Sequence, residues 1–206
     1  MSVNEFTGDP PDAGRRALLA KLGTAAGGLA IAGAAAPFVA SLAPSERAKA
    51  KGAPVEFDAS SLAAGALVTV EWRDKPVWIL RRTPEMLVRL EKVEHLLSDP
   101  HSKVGSQQPE YARNLARSIR PDAVVLVGLC THLGCIPDYQ PQPGTLQHDW
   151  PGGFYCACHG SKFDLAGRVF KGSPAPTNLV VPSHRYAEAA RLVIGDDDSG
   201  SSAERG

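Results

Sequence analysis

The chain has 206 residues, which is enough for one domain with extensions. Its 22 basic and 22 acidic side chains cancel, and the basic residues form no long run, so no nucleic-acid partner is expected. Seventeen prolines and twenty glycines favour a fold that is rich in β-strands and loops.

The N-terminal region has the pattern of a membrane anchor. Residues 1–16 are predicted to be a cytoplasmic N-terminus that ends in two arginines, and residues 17–43 to be a transmembrane helix. Residues 22–43 carry no charge, and 22 helical residues at about 1.5 Å each match a hydrocarbon core of about 30 Å. The paired arginines resemble a twin-arginine export signal and predict a periplasmic location for the rest of the chain. A cleaved signal peptide, with residues 48–50 as a loose cleavage site, is the alternative.

Two segments of the chain are predicted to lie outside any packed domain. Residues 44–54 are small and polar with a proline at each end, and they are predicted to form a flexible tether. A helix extension through residues 45–51 is the alternative. Residues 196–206 are rich in Asp, Ser and Gly and are predicted to be a disordered tail, which leaves residues 55–195 as the outer domain.

The outer domain is predicted to consist mainly of short strands. One helix interrupts them: Thr83 is its expected N-cap, Pro84 its first residue, and apolar residues recur at helical spacing through 86–97. Residues 98–120 are polar and irregular, and the sequence assigns them no role. Strands are predicted at 55–57, 66–72, 76–82, 123–129, 154–155, 163–164, 167–170, 179–182, around 186, and at 191–194. Residues 73–75 are predicted to form the turn between the second and the third of these strands.

All four cysteines and two of the six histidines lie in two short boxes. The boxes are Cys130-Thr131-His132-Leu133-Gly134-Cys135 and Tyr155-Cys156-Ala157-Cys158-His159-Gly160-Ser161. Each box offers thiolate and imidazole groups within a few residues, in a turn with a glycine that lets the backbone approach closely. Such ligands suit zinc or an iron–sulfur centre. A structural zinc site is the alternative, although zinc fingers space their ligand pairs differently and a zinc ribbon would use all four cysteines.

Both boxes resemble those of the Rieske iron–sulfur proteins, in particular the Rieske subunits of proteobacterial ubiquinol–cytochrome c reductases (cytochrome bc complexes). The second box has Ala157 where the family usually has proline. Residues 172–176, Gly-Ser-Pro-Ala-Pro, resemble the proline loop that covers the metal cluster in that family. The anchor, the tether and the twin arginines fit as well, so the resemblance covers nearly the whole chain.

The resemblance implies a fold and a cofactor. The fold is an all-β domain of stacked antiparallel sheets, with a small cluster-binding part at about 128–177 and one helix insertion, on a single N-terminal transmembrane helix. The cofactor is one [2Fe–2S] cluster per subunit. The implied ligands are Cys130 and Cys156 on one iron, and His132 and His159 on the other.

The resemblance also implies roles for neighbouring residues. Cys135 and Cys158 would form a disulfide, which requires an oxidising compartment. Ser161 would donate its hydroxyl to a cluster sulfide and raise the reduction potential. Many high-potential members carry a tyrosine two residues later, whereas this chain has Phe163, so a lower potential is predicted. The other implied neighbours of the cluster are Leu133, Gly134 and Gly160, and the residues expected to dock on cytochrome b are Leu133, Pro174 and Pro176.

The implied activity is quinol oxidation at the cytochrome b subunit of a dimeric complex in the bacterial inner membrane. His159 would contact ubiquinol and take a proton together with the electron, and the electron would pass to a c-type haem subunit, contributing to proton translocation. Soluble Rieske ferredoxins and oxygenase components are disfavoured because they generally lack the second cysteine pair and the anchor. The Rieske subunit of another periplasmic oxidase, such as arsenite oxidase, and a zinc-stapled structural domain are the remaining alternatives.

Overall fold

The computed structural model describes residues 12–43 and 52–196. The chain falls into two compact units, Met1–Lys49 and Ala50–Gly206. Most of the predicted tether and of the predicted tail lies outside the described residues, so both assignments stay predictions.

Helix α1, Ala13–Ser41, is the element that the structure describes in the first unit. Its N-cap is Asp12, whose carboxylate accepts a hydrogen bond from the Gly14 amide at 2.9 Å. None of its described residues is buried, and the helix is long and apolar enough to cross a membrane. It begins four residues before the predicted span 17–43, so the two arginines of the export signal lie in its first turns rather than in a preceding tail.

The outer domain contains three antiparallel sheets of three strands each, in the orders β1-β9-β8, β2-β3-β4 and β5-β6-β7. Helix α2 leaves the second sheet after β3, and this arrangement confirms the predicted fold class. The elements are β1 Val55–Asp58, β2 Leu67–Trp72, β3 Lys75–Arg81, α2 Pro84–Lys92, β4 Ala123–Val127, β5 Asp138–Gln140, β6 Gly153–Cys156, β7 Ser161–Phe163, β8 His184–Tyr186 and β9 Arg191–Ile194.

The sheet β2-β3-β4 is buried on both faces, which explains why β3 and β4 read as continuous apolar runs. Side chains alternate between the faces of a strand. Val77 and Ile79 therefore pack with Leu192 of β9, in the core shared with the first sheet. Trp78, between them, stacks on Phe154 of β6 with ring centroids 4.9 Å apart, in the core shared with the third sheet.

Local signals around β3 were predicted well. Arg73 and Asp74 both have positive φ, 53° and 57°, which is the backbone of a two-residue hairpin turn. The Thr83 hydroxyl caps α2 by accepting a hydrogen bond from the Met86 amide at 3.3 Å. The helix ends at Lys92, before the predicted apolar stripe does, and a short 3₁₀ turn continues the chain.

Two predicted strands are wrong. In the described part of the chain, residues 167–170 form isolated bridges, Phe163 to Val169 and Leu97 to Phe170, and residues 179–182 form no strand. Val127 donates to the carbonyl of Val180 at 2.8 Å, whereas Val181 donates to a carbonyl in another segment, so no ladder can form. The apolar residues there are buried by packing rather than by sheet pairing. Strand β5 was missed because it lies inside a proline-rich loop.

Candidate metal centre

The two boxes adopt the same turn. The first box follows β4, and the second joins β6 to β7. The amide of Gly134 donates to the carbonyl of Cys130 at 2.9 Å, and the amide of Gly160 donates to the carbonyl of Cys156 at 2.9 Å. Both glycines have positive φ, 82° and 80°, a conformation that costs little only for glycine. Each box therefore presents its cysteine and histidine side chains from an equivalent backbone.

The cysteines divide into a pair that is linked and a pair that is free. Cys135 and Cys158 form a disulfide with their Cα atoms 6.7 Å apart, and it joins the two boxes. Cys130 and Cys156 are free, and only 3% and 2% of their surfaces are exposed. The sulfur atoms of Cys135, Cys156 and Cys158 lie within 4.8 Å of one another, so the disulfide lies against the free thiol of the second box.

The two histidines of the boxes lie side by side. The ring centroids of His132 and His159 are 4.7 Å apart, and the rings meet at 89°. Nδ1 of His132 is buried and has no hydrogen-bond partner among the described residues. A buried polar atom without a partner is costly, and a bond to a metal would satisfy it. His159, in contrast, is exposed.

The free thiols are suited to metal binding rather than to nucleophilic chemistry. Burial raises the pKa of the Cys156 thiol, and the adjacent Cys130 thiol adds to that rise. A reactive cysteine needs a lowered pKa, which this site does not provide. A bound metal ion, however, deprotonates a coordinating thiol outright. Two buried thiols and two mutually adjacent imidazoles, one with an unsatisfied buried nitrogen, therefore offer four ligands of the types that suit an iron–sulfur centre.

The proline loop, residues 172–176, and Thr177, which follows it, are hydrogen-bonded to the two boxes. The hydroxyl of Thr131 donates to the carbonyl of Thr177 at 2.7 Å. The amide of Ala175 donates to the hydroxyl oxygen of Ser161 at 3.0 Å, and Ser161 is fully buried. The loop is thereby held beside the first box through Thr131 and beside the second box through Ser161.

Apolar residues of the first box and of the proline loop are exposed, and Leu133, Pro174 and Pro176 are called the apolar rim. Leu133 is 70% exposed, and Pro174 and Pro176 are exposed as well. Ile136, which the sequence analysis did not single out, is 62% exposed and directly follows the disulfide cysteine Cys135. Exposed apolar groups that are contiguous mark interaction sites more often than isolated ones do.

Phe163 is completely buried, opposite Phe154 in the pairing of β6 with β7. It offers no hydroxyl to the second box. Tyr155 is paired with Lys162 in the same ladder and is half-buried.

The sequence analysis missed Asn178, which anchors the chain just after the proline loop. Asn178 is buried, its Oδ1 accepts from the Val169 amide at 2.9 Å, and its Nδ2 donates to the Asp99 carbonyl at 3.0 Å. Segment 98–120, to which the sequence assigned no role, thus contacts the chain that carries the loop. The asparagine is visible in the sequence, but no local pattern reveals a partner 79 residues away.

Known proteins resemble this chain over most of its length. The Rieske [2Fe-2S] domain family matches residues 54–185. The ubiquinol-cytochrome c reductase iron-sulfur subunit of Allochromatium vinosum is 52% identical over 185 residues, which is 89% of each chain. The protein of the same name from Rhodospirillum rubrum is 39% identical over 197 residues, 95% of this chain and all of that one. Among solved structures, a chain of a hyperthermophilic respiratory Complex III is 25% identical with a TM-score of 0.44, over 84% of this chain and 98% of that one.

Proposed function

The chain belongs to the Rieske [2Fe–2S] family, and we propose that it is the iron–sulfur subunit of a ubiquinol–cytochrome c reductase. The observation that carries the proposal is the 52% identity to such a subunit over 89% of both chains. The free thiols, the paired imidazoles and the disulfide that joins their loops support the same assignment.

The cofactor of the family is a [2Fe–2S] cluster, and the residues of the two boxes fit it. We assign Cys130 and Cys156 to one iron and His132 and His159 to the other. When bound, the cluster supplies a one-electron acceptor whose potential is raised because two neutral imidazoles replace two thiolates. The buried Nδ1 of His132 is the atom that would bind iron in that residue, which leaves its other ring nitrogen toward the surface.

His159 is the residue proposed to meet the substrate. It is exposed, so its imidazole can accept a hydrogen bond from a quinol hydroxyl and hold the proton that leaves with the electron. The exposed rim of Leu133, Pro174 and Pro176 would dock on cytochrome b and exclude water from that contact. Ser161 and Thr131 would keep the proline loop in position through the hydrogen bonds described above.

The proposed partners are a cytochrome b subunit, ubiquinol and a c-type cytochrome subunit, in a dimeric complex that contributes to proton translocation. Helix α1 would anchor the chain in the inner membrane, with the N-terminus cytoplasmic and the outer domain periplasmic. The twin arginines would direct export of the folded chain, and residues 44–54 would let the outer domain move between cytochrome b and the c-type haem.

Two measurements on the full-length protein test the proposal. A reduced sample should give a low-temperature EPR signal, whereas a zinc site would give none. Solubilised membranes should yield the chain together with a b-type and a c-type haem subunit, and the isolated complex should oxidise ubiquinol with cytochrome c as acceptor. An EPR-silent protein would refute the metal assignment. A cluster-bearing protein that purifies without either haem would refute the assignment to this complex.

A further inference from the structure

Three arginine side chains are buried in the outer domain. The exposed fractions are 2% for Arg82, 0% for Arg117 and 0% for Arg168. The carboxylate that is buried with them, among the residues the structure describes, is Asp164, which is 1% exposed. Fully buried arginine is uncommon unless it is paired with an acid. Here two of the three positive charges have no buried counter-charge in the described ranges.

Hydrogen bonds place the three groups in one connected region. Arg168 pairs with Asp164 at 2.7 Å. Arg117 donates from Nη1 to the carbonyl of Ala166 at 3.1 Å, inside the turn that Asp164 and Arg168 form. Arg82 donates to the carbonyl of Ala116, the residue next to Arg117, at 2.8 Å. The guanidinium groups are thus solvated by carbonyl oxygens, which leave their net charge in place.

The charges interact with one another. Burial lowers the pKa of Arg82 and of Arg117 to about 10, and the charge of Arg168 adds to this fall. The charge of Asp164 opposes the fall in both, as do the less buried carboxylates Asp122 for Arg82 and Asp99 for Arg117. Both groups remain protonated at neutral pH. In addition, Nε of Arg117 is buried without a hydrogen-bond partner among the described residues.

The turn that Arg117 contacts follows the second box closely in the chain and shares its core. Cys156 is paired directly with Ser161 across the ladder of β6 and β7, and Asp164 follows three residues later. Three residues of extended chain span about 10 Å. Cys130, Cys156, Phe163 and Ala166 belong to a single cluster of buried side chains. Packed apolar side chains therefore connect the turn that Arg117 contacts with the two free thiols, and such surroundings screen charge weakly.

We propose that these buried arginines raise the reduction potential of the metal centre, with Arg117 as the main contributor. Reduction adds one negative charge to the centre, and a fixed positive charge across an apolar core stabilises that state. The buried positive charge would raise the potential, as a tyrosine hydroxyl at position 163 would. This inference rests on the ligand set assigned under the proposed function.

Reduction potentials of two variants of the full-length, cluster-bearing protein test the inference. Arg117→Met removes the charge, and Arg117→Lys keeps it; both lose the two-pronged hydrogen bonding. The midpoint potential is followed by EPR. It should fall in the Met variant at every pH, and by the same amount at low and high salt. In the Lys variant it should stay near the wild-type value. The control is Arg113→Met, which removes an exposed charge from the same segment and should leave the potential unchanged.

Equal shifts in both Arg117 variants would assign the effect to hydrogen bonding and overturn the inference, and so would the absence of any shift. If Arg117→Met does not fold, Arg82→Met and Arg82→Lys give the same comparison, with a smaller fall expected because Arg82 bonds farther from the turn. A wild-type protein without the EPR signal would instead refute the proposed function.

Discussion

Phe163 lies at 0% exposure beside the second box, at the position where a tyrosine is expected in high-potential relatives. Its ring fills the core between β7 and β6, opposite Phe154. Ser161, two residues earlier, has its hydroxyl oxygen engaged by the Ala175 amide, and its own proton is available to another acceptor. A side-chain hydroxyl bond from this strand to the proposed centre would therefore come from Ser161.

Phe163→Tyr is expected to raise the midpoint potential. An additional hydrogen bond that is worth about 1 kcal/mol in the reduced state corresponds to about 40 mV for one electron. Redox titration with EPR detection measures the shift. Tyr155→Phe is the matched control, because it removes a hydroxyl from a packing residue and should leave the potential unchanged. An unshifted Phe163→Tyr potential would contradict the prediction.

His184 is 1% exposed, and burial lowers its pKa below the ordinary value of 6.5. Its Nδ1 lies 2.8 Å from the Pro182 carbonyl oxygen and 3.4 Å from the hydroxyl of Tyr111, which is also titratable. Because the unfolded chain binds the proton more readily, the contribution of neutral His184 is complete above pH 6.5 and is lost as the pH falls through the folded pKa.

The free energy of unfolding should therefore decrease below pH 6.5, by up to about 1.4 kcal/mol per pH unit from this group. Urea unfolding of the full chain at pH 7.5 and 5.5 measures the decrease. His184→Gln should be less stable at pH 7.5 and should show a smaller further loss at pH 5.5. An identical loss in both proteins would assign the pH dependence to other groups.

At the scale of elements, links between segments of the chain hold the proposed metal ligands in position. The two boxes belong to different strands of the fold, and the Cys135–Cys158 disulfide fixes the distance between them. The proline loop adds hydrogen bonds through Thr131 and Ser161. The proposed ligands are thus preorganised by covalent and hydrogen-bonded links between the segments that carry them.

Replacing both disulfide cysteines by serine should destabilise the outer domain by about 3 kcal/mol, because the sulfur atoms close a loop across a sequence separation of 23 residues. The cluster should also be lost faster, since the boxes can then separate. Chemical unfolding and the decay of the visible absorption measure the two effects. Thr131→Val serves for comparison: it removes one hydrogen bond to the loop and should cost only about 1 kcal/mol. A cluster lifetime equal to that of the wild type would contradict the clamping role.

At the scale of the whole molecule, one apolar helix and one β-rich domain are separate units. The proposed electron path needs the outer domain to visit two partners while the helix stays in the membrane. Residues 44–54 join the two units, and their small polar residues are the basis for predicting a tether.

Stiffening that segment should block turnover. Ala48→Pro combined with Ala50→Pro is expected to lower quinol oxidation by about tenfold or more while the EPR signal of the cluster is unchanged. The matched control, Ala48→Ser with Ala50→Ser, should keep both. Steady-state quinol oxidation in the isolated complex measures the effect. A fully active double-proline variant would exclude large domain movement as a requirement.

The sequence was most informative where chemistry is local. The ligand boxes, the hairpin turn at Arg73 and the Thr83 cap each depend on a few adjacent residues, and the structure has the turn and the cap as predicted. The family resemblance was likewise confirmed by the relatives. Residues 179–182 were misjudged because β-branched side chains are buried in loops as well as in sheets. The buried arginines could not be predicted, since arginine is normally exposed and their partners lie far away in the chain.

The contact between the disulfide and the free thiol of Cys156 has a consequence for how the protein would mature. A thiol beside a disulfide can exchange with it once it is deprotonated, and these sulfur atoms lie within 4.8 Å of one another. The raised pKa of Cys156 slows such exchange, and iron bound to Cys156, as proposed, would prevent it. Loading of iron before oxidation of Cys135 and Cys158 would therefore protect the native pairing, whereas oxidation first would leave a chain that can still rearrange its bonds. The arrangement of three sulfur atoms would thus favour one order of the two maturation steps.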